Sequence, residues 1–351
     1  MTLRETFGRL LVLCAGLLLA SLAMSSTLLS LDISLFRTLA LPSGLRASPR
    51  CTAGFACPHA DVATELWGSP DAGVKALSQS ETRGFNINGK AMQIRTNSED
   101  WQSGEGEVKK EFEEADSYNL KVLAELRDSE CGVVVDIGCN IGMFTMAAFA
   151  YNANNIIICI EPMPQTYSYL RWNLEHNQIP LLDVFGLREK LKGWREGGRP
   201  CNTPGGVLPI NGAVASGAGP IAVSYNPEHS KNGVTSAVSI GTDEVVVGVT
   251  ATVPVVKLQD FLSLEDKVVF MKVDCEGCEH AVAPLIAPFM KVARWVAAEI
   301  HPCLQGHGCL VDAATVSQTR SLFCGHGCCT DEGNIYSQAC HSGDRGSLAS
   351  R

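Results

Sequence analysis

Thirteen residues limit what this chain can fold into more than any other stretch: Val133-Val-Val-Asp-Ile-Gly-Cys-Asn-Ile-Gly-Met-Phe-Thr145. An apolar run closing on an acid, then two spaced glycines and a renewed apolar pattern, predicts a buried strand, a tight turn and a helix start. Gly138 and Gly142 let the backbone turn sharply and let a ligand approach where a Cβ would collide. The head of the helix offers N–H groups to that ligand. A second apolar run, Asn155-Ile-Ile-Ile-Cys-Ile-Glu-Pro162, predicts the next buried strand and puts Glu161 nineteen residues after Gly142. In a nucleoside-binding α/β fold, the carboxylate that accepts the ribose hydroxyls stands there.

A chain with 33 glycines yields some Gly-x-x-x-Gly spacings by chance, so the weight rests on the order strand, turn, helix, strand, acid. A pyrophosphate dinucleotide calls for Gly-x-Gly-x-x-Gly, and here Asn140 holds the middle place. The deviation favours S-adenosylmethionine, which has a ribose and an amino-acid tail but no phosphates.

Further along, Phe85 to Asn97 predicts a strand or two, and Val108 to Leu126 has helical spacing. Pro164 to Asn177 reads as an amphipathic helix with Tyr167, Leu170 and Leu174 on one side, and Pro180 to Gly206 as a looser insertion. Leu208 to Val214 predicts a third strand, and Pro220 to Tyr225 with Glu244 to Leu258 an antiparallel pair. Val268-Val-Phe-Met-Lys-Val-Asp274 is again a buried run capped by an acid; a helix follows from about Gly277 to Met290, and Trp295-Val-Ala-Ala-Glu-Ile-His301 repeats the form. Four runs thus close on Asp136, Glu161, Asp274 and the Glu299/His301 pair. In an open parallel sheet ligands bind outside the carboxyl ends of the strands, so these residues are expected around one pocket.

With 37 acidic against 28 basic residues the net charge is −9, and no basic patch speaks for nucleic acid. The mixed run Arg188 to Arg195 reads as a solvated helix face. Arg4 and Arg9 precede an uncharged window from Leu10 to Leu31, 22 residues, long enough to span a bilayer. A signal anchor in a Golgi or ER membrane, with the folded part lumenal, is the expectation; a signal peptide cut after Ser21-Leu-Ala23, giving a secreted chain, is the alternative. Either compartment is oxidising, which suits a chain of 15 cysteines. Cys51 and Cys57 can pair in the stalk. Cys303, Cys309, Cys324, Cys328, Cys329 and Cys340 crowd the end of the chain, where disulfides fit better than zinc because no paired metal-ligand spacing occurs.

The motifs together resemble the FkbM-type methyltransferases. Asp136-Ile-Gly-Cys-Asn-Ile-Gly-Met-Phe-Thr145, Glu161-Pro162, Ala213 to Gly219, Val256 to Asp260, Lys272-Val-Asp-Cys-Glu-Gly-Cys-Glu279 and Glu299-Ile-His301 stand in the family's order, over about residues 105 to 302. The resemblance implies a class I methyltransferase fold: α/β, Rossmann-like and doubly wound, with a mostly parallel sheet and an added β-hairpin. It implies S-adenosylmethionine as donor and O-methylation of a sugar, glycan or other small-molecule hydroxyl. It gives Asp136, Gly138, Asn140, Gly142 and Phe144 to the donor loop, Glu161 to the ribose, and Asp274, Glu276 and His301 to the methyl end. His301 is the expected base, with Asp274 and Glu276 orienting the acceptor, and no metal is assigned. Ala215-Ser216 departs from the family's frequent Ser-Asp, as Cys275 and Cys278 do from its aliphatic and small residues.

The expected divisions are a membrane segment or signal peptide at 1–34, a Pro/Ser/Gly-rich stalk at 35–84, the methyltransferase-like domain at 85–302 and a cysteine-rich tail at 303–351. Two other functions share features with this one. A nicotinamide-dependent oxidoreductase shares the first strand-turn-helix and Glu161 but leaves Lys272 to Glu279 without a role. A catalytically silent, membrane-tethered binding module has the same pocket without turnover. A thioredoxin-like redox reading of Asp274-Cys-Glu-Gly-Cys278 fails on the layout of the rest of the chain; a disulfide or two small buried thiols accounts for that pair.

Overall fold

The computed structural model describes residues 80–97, 116, 118–126, 131–197, 203–217, 219–225, 249–275, 278–300, 312–324, 330–332 and 335–338. All belong to the second of two compact units, Pro58–Arg351; the first, Met1–Cys57, lies outside the described residues. The expected membrane segment and the Cys51–Cys57 pair therefore lie outside them as well. Among the described residues no helix is long and apolar enough to cross a membrane.

The first elements are β1 (Ser80–Ile87) and β2 (Lys90–Asn97), an antiparallel hairpin. Its turn is Asn88-Gly89, both at positive φ, the backbone that a tight hairpin demands. Among the described residues β1 opens at Ser80, five residues before position 85. Val108 to Leu126 yields, among its described residues, a single helical element: a 3-10 turn at Leu120–Leu123, with Leu120 and Leu123 buried.

The centre is a parallel sheet. In chain order come β3 (Val133–Ile137), helix α1 (Met143–Tyr151), β4 (Ile156–Glu161), α2 (Pro164–His176), α3 (Val184–Gly197) and β5 (Gly206–Asn211). Short elements follow: β6 (Ala213–Val214), β7 (Ile221–Tyr225), β8 (Val249–Val253) and β9 (Val255–Val256), with β7 and β8 forming the expected antiparallel pair. The chain then returns through β10 (Val268–Val273), α4 (Glu279–Val292) and β11 (Trp295–Glu299). The last described elements are α5 (Ala313–Cys324), β12 (Thr330–Glu332) and β13 (Ile335–Gln338).

The sheet order is β12-β13-β11-β10-β3-β4-β5. The five strands from β11 to β5 run parallel, whereas β13 is antiparallel to β11. The unbroken Val/Ile runs are explained by helices on both faces, which leave no side for polar alternation. Val134, Ile157 and Ala297 face one core with α1, α2 and the β1–β2 hairpin. Val133, Val135, Ile158 and Ala298 face the other with α3, α4 and Phe323 of α5. This is a doubly wound, Rossmann-like α/β fold.

The insertion expected to be loose holds the 14-residue helix α3, anchored by buried Leu187 and Leu191 one turn apart. Arg195 of its charged face pairs with buried Asp266 through two hydrogen bonds, of 2.9 and 2.6 Å. The stretch 303–351 also contributes to the fold: β13 extends the sheet, and Thr319 of α5 meets His280 of α4 at 2.9 Å. Its six cysteine side chains lie outside the described residues.

For function the decisive point is the reversal in strand order. From β3 the chain first builds outward to β4 and β5, then crosses back to place β10 on the other side of β3. The crevice at such a switch point, beyond the carboxyl ends of the strands, is where open α/β sheets bind ligands.

Candidate functional site

On the β3–β4 side of the crevice the chain turns within Gly138–Gly142. Gly138, Asn140 and Gly142 all take positive φ, at 78°, 50° and 95°. Both glycines are required by close packing against the protein itself. A Cβ on Gly138 would stand 1.9 Å from the Asp274 carbonyl oxygen, and one on Gly142 2.6 Å from Leu170 Cδ1. The turn is thus pressed onto the end of β10 and onto α2.

Glu161, the last residue of β4, holds the turn from the other side. Its Oε2 accepts the Asn140 N–H and its Oε1 the Met163 N–H, each at 2.9 Å. Asn211 fixes the same corner by donating to the carbonyls of Glu161 and Pro162. Burial raises the Glu161 carboxyl to about 7, against the pull of those two N–H groups. A group that brings further donors to this carboxylate favours its charged form.

Asp136 lies one residue short of the end of β3 and is fully buried, with Thr145 of α1 donating to its Oδ2 at 2.7 Å. It reaches the crevice only through Lys272 on the neighbouring strand β10, to which it is paired in register. Lys272 Nζ is 3.5 Å from Asp136 Oδ1 and 3.1 Å from Asp274 Oδ2, and donates to the Gly138 carbonyl at 2.8 Å. Burial alone would lower the ammonium, but Asp274 and Asp136 together raise it above its ordinary value. Burial pushes Asp136 upward, chiefly opposed by Lys272 and Thr145.

Asp274 stands just beyond β10, half-buried at the crevice. Its Oδ2 takes both Lys272 and the Tyr118 hydroxyl, the latter at 3.0 Å, while among the described residues Oδ1 takes no hydrogen bond. The Tyr118 hydroxyl also lies 3.4 Å from Glu299 Oε2 at the end of β11. Phe144, expected in the donor loop, is a buried core residue: it packs edge-on against Tyr118, centroids 5.6 Å apart, and tilted against Phe270 at 5.5 Å. Lys272 Nζ stands 5.7 and 5.9 Å from the Tyr118 and Phe144 ring centroids, a cation against two aromatic faces.

Of the nine expected site residues, Asp136, Gly138, Asn140, Gly142, Phe144, Glu161 and Asp274 gather around the ends of β3, β4 and β10, with Asp136 and Phe144 beneath the surface. Glu276 and His301 lie outside the described residues. Sequence reasoning missed Tyr118, which no motif marks, and gave Lys272 no role although it stands inside the Lys-x-Asp motif.

Two cysteine pairs flank the crevice with their sulfurs at disulfide distance: Cys139 in the glycine turn with Cys159 of β4, and Cys275 with Cys278 at the head of α4. The first was legible only through register, since Asp136 pairs with Cys159 and so brings Cys139 over it. Among the described residues Asp136, Cys139 and Cys159 also form a cluster of metal-ligand types, but its two sulfurs are engaged with each other.

The arrangement brings the carboxyls of Glu161 and Asp274 to the ends of β4 and β10, with the Lys272 ammonium between Asp274 and buried Asp136. No protein-family model matches this chain, and no curated protein matches it.

Proposed function

We propose that this protein is an S-adenosylmethionine-dependent O-methyltransferase of the class I fold, acting on a hydroxyl of a glycan or small molecule in the secretory pathway. The observation that carries the reading is the Glu161 clasp. A buried carboxylate at the end of the second strand of the parallel sheet grips the glycine turn through Asn140, at the position where nucleoside-binding sheets hold a ribose.

The donor set fits: each Glu161 oxygen keeps a lone pair for a ribose hydroxyl, and Asp274 sets a carboxylate at the crevice for a cationic ligand. Bound there, the donor would supply an electrophilic methyl group on a sulfonium. Asp274, tied through Oδ2, presents Oδ1 to the acceptor hydroxyl and orients it together with Glu276. His301, two residues beyond the end of β11, takes the hydroxyl proton as the bond forms, having the side chain suited to a base near neutral pH.

Two features disfavour the nicotinamide reading. Asn140 replaces the middle glycine of the dinucleotide turn, and β13 runs antiparallel where the dinucleotide order continues with a sixth strand after the fifth.

Calorimetric titration with S-adenosylmethionine, S-adenosylhomocysteine and NAD tests the donor assignment. The first two should bind, and Glu161→Ala should weaken them by about 1 to 3 kcal/mol; binding of NAD alone would overturn it. Transfer of labelled methyl to an acceptor panel then separates an enzyme from a silent binding module. His301→Ala and Asp274→Asn should each lower kcat by about 10² or more while leaving donor affinity nearly intact.

A further inference from the structure

We propose that Cys275 and Cys278 form a thiol–disulfide exchange site whose reductant is a dithiol, and that opening it releases the backbone beside Asp274. The two cysteine pairs of the crevice differ in the property that governs exchange. Cys139 and Cys159 are 2% and 0% exposed, beneath the glycine turn and across twenty residues of sequence. Cys275 and Cys278 are both half-buried, lie three residues apart and rest against the edge of the core on the α4 side. Exchange requires an external thiolate to approach a sulfur in line, so access favours the second pair and denies the first.

Position adds direction. Cys278 is the N-cap of α4, a 14-residue helix, where the positive end of the helix stabilises a thiolate. The Cys275 N–H donates to Glu279 Oε1 at 2.8 Å, which places a carboxylate beside Cys275 and disfavours negative charge there. The reductant's thiolate therefore attacks Cys275 Sγ. The Cys275–Cys278 bond breaks, and its electron pair leaves on Cys278 Sγ as the helix-head thiolate. The reductant's second thiol then attacks its own sulfur in the mixed disulfide, releasing Cys275 as a thiolate. The balance is one protein disulfide plus one dithiol to two protein thiols plus one oxidised, cyclic reductant, with two electrons and two protons transferred.

The consequence falls on Asp274, which adjoins Cys275. Asp274 is held by its N–H to the Ile137 carbonyl at 3.0 Å and through Oδ2 to Lys272 and Tyr118, and the next backbone bond, Cys278 N–H to Cys275 O, lies inside the disulfide-closed ring. Once the bond between the sulfurs is open, among the described residues that 3.4 Å hydrogen bond and the 2.8 Å bond from the Cys275 N–H to Glu279 still close the ring, and no covalent link does.

The test uses the full chain purified without reductant, treated in its native state with dithiothreitol, alkylated and mapped by mass spectrometry. Cys275 and Cys278 should become alkylated while Cys139 and Cys159 stay joined until denaturant is added, and oxidised dithiothreitol should reverse the labelling. If Cys139 and Cys159 open as readily, or Cys275 and Cys278 are alkylated before any reductant, the exchange site is refuted. Hydrogen exchange on the same samples should speed up on the order of tenfold in peptides covering 270–282 and stay unchanged across 138–150; no change in the former would refute the effect on Asp274. The Cys275→Ser/Cys278→Ser double variant should exchange like the reduced protein with or without dithiol, and if it does not fold the wild-type measurements decide alone. None of these readouts involves a methyl donor, so their failure leaves the methyltransferase reading as it stands.

Discussion

The two sides of the crevice hold their acids by different means. On the β3–β4 side Glu161 is fixed by backbone: two N–H groups clasp its oxygens, and Asn211 ties down the carbonyls on either side of the corner. On the β10–β11 side Asp274 is fixed by side chains, Lys272 and Tyr118, both on one oxygen. Backbone clasps come with the fold and survive most substitutions. A side-chain network depends on each member, and it leaves free the oxygen that can meet a substrate. The rigid side suits a ligand that is always the same, and the adjustable side one that sets specificity.

The sides touch at Gly138, so the largest expected effect comes from filling that contact. Gly138→Ala combines a Cβ driven to within 1.9 Å of backbone with a left-handed φ of 78°. Overpacking and backbone strain together predict a loss of about 5 kcal/mol, or failure to fold. Gly142→Ala is the control: it carries the same kind of strain at φ 95°, but its Cβ meets nothing closer than the movable end of Leu170, and about 3 kcal/mol is expected. Equal urea midpoints for the two variants would show that the β3–β10 contact is softer than its geometry implies.

Next comes Lys272→Met, which removes the cation shared by both sides. Asp136 is fully buried and its Oδ1 has no hydrogen-bond partner, so without Lys272 only the Thr145 hydroxyl on Oδ2 compensates a charge there. Breaking a buried pair from one end costs about 4 kcal/mol. Asp136→Asn in the same chain should recover a large part of it, because the amide carries no charge to strand. If the double variant is no more stable than the single one, Lys272 matters for packing against Tyr118 and Phe144 instead.

How the site was legible follows the same division. Strands β3, β4, β10 and β11 announce themselves as apolar runs closing on acids, because burial on both faces leaves nothing to alternate. Glu161 could therefore be placed from spacing alone. The Lys272–Asp274–Tyr118 network could not, since Tyr118 arrives from a stretch whose described part is one 3-10 turn, brought over Phe144 by packing at long range. Helix α3 was obscured because only Leu187 and Leu191 of its fourteen residues are buried, with Val184 and Trp194 half-buried against the same core, while Arg188, Glu189, Lys192 and Arg195 form the exposed charged face read from the sequence. The glycines were read as a sharp turn with room for a ligand; the turn is there at positive φ, and the protein's own Asp274 and Leu170 pack against it as well.

The third prediction is a pH dependence, with the Glu161 carboxyl at about 7 in the folded chain against 4.5 for the free group. Between those values the folded chain keeps a proton that the unfolded chain has lost. This contribution is fully present below pH 4.5 and is lost as the pH rises through 7, a decline of about 3 kcal/mol. Unfolding free energies from urea titration, wild type minus Glu161→Gln, should fall by that amount across that window. On the proposed donor assignment, ribose hydroxyls donating to the ionised form would make donor binding release a proton, so affinity should rise with pH up to about 7 and then level off. A flat difference between the two proteins would mean that the clasp already holds Glu161 charged.

The smallest effect on stability, and the sharpest on the comparison, is expected from Tyr118→Phe. It deletes one hydroxyl and keeps the ring that packs on Phe144, so stability should drop by about 1 kcal/mol, the net worth of one hydrogen bond. Asp274 Oδ2 then keeps only Lys272, and the carboxylate can rotate about a single anchor. Because Tyr118 acts through Asp274, the loss should appear in kcat, about tenfold for a loosened orienting group, with donor affinity unchanged, since Glu161 and its clasp lie on the other side of the crevice. Lys272 spans both sides, so Lys272→Arg, which keeps the charge but not the fit, should lower kcat and donor affinity together. If Tyr118→Phe instead weakens donor binding as much as it slows turnover, the two sides are one coupled unit and the division drawn between them fails.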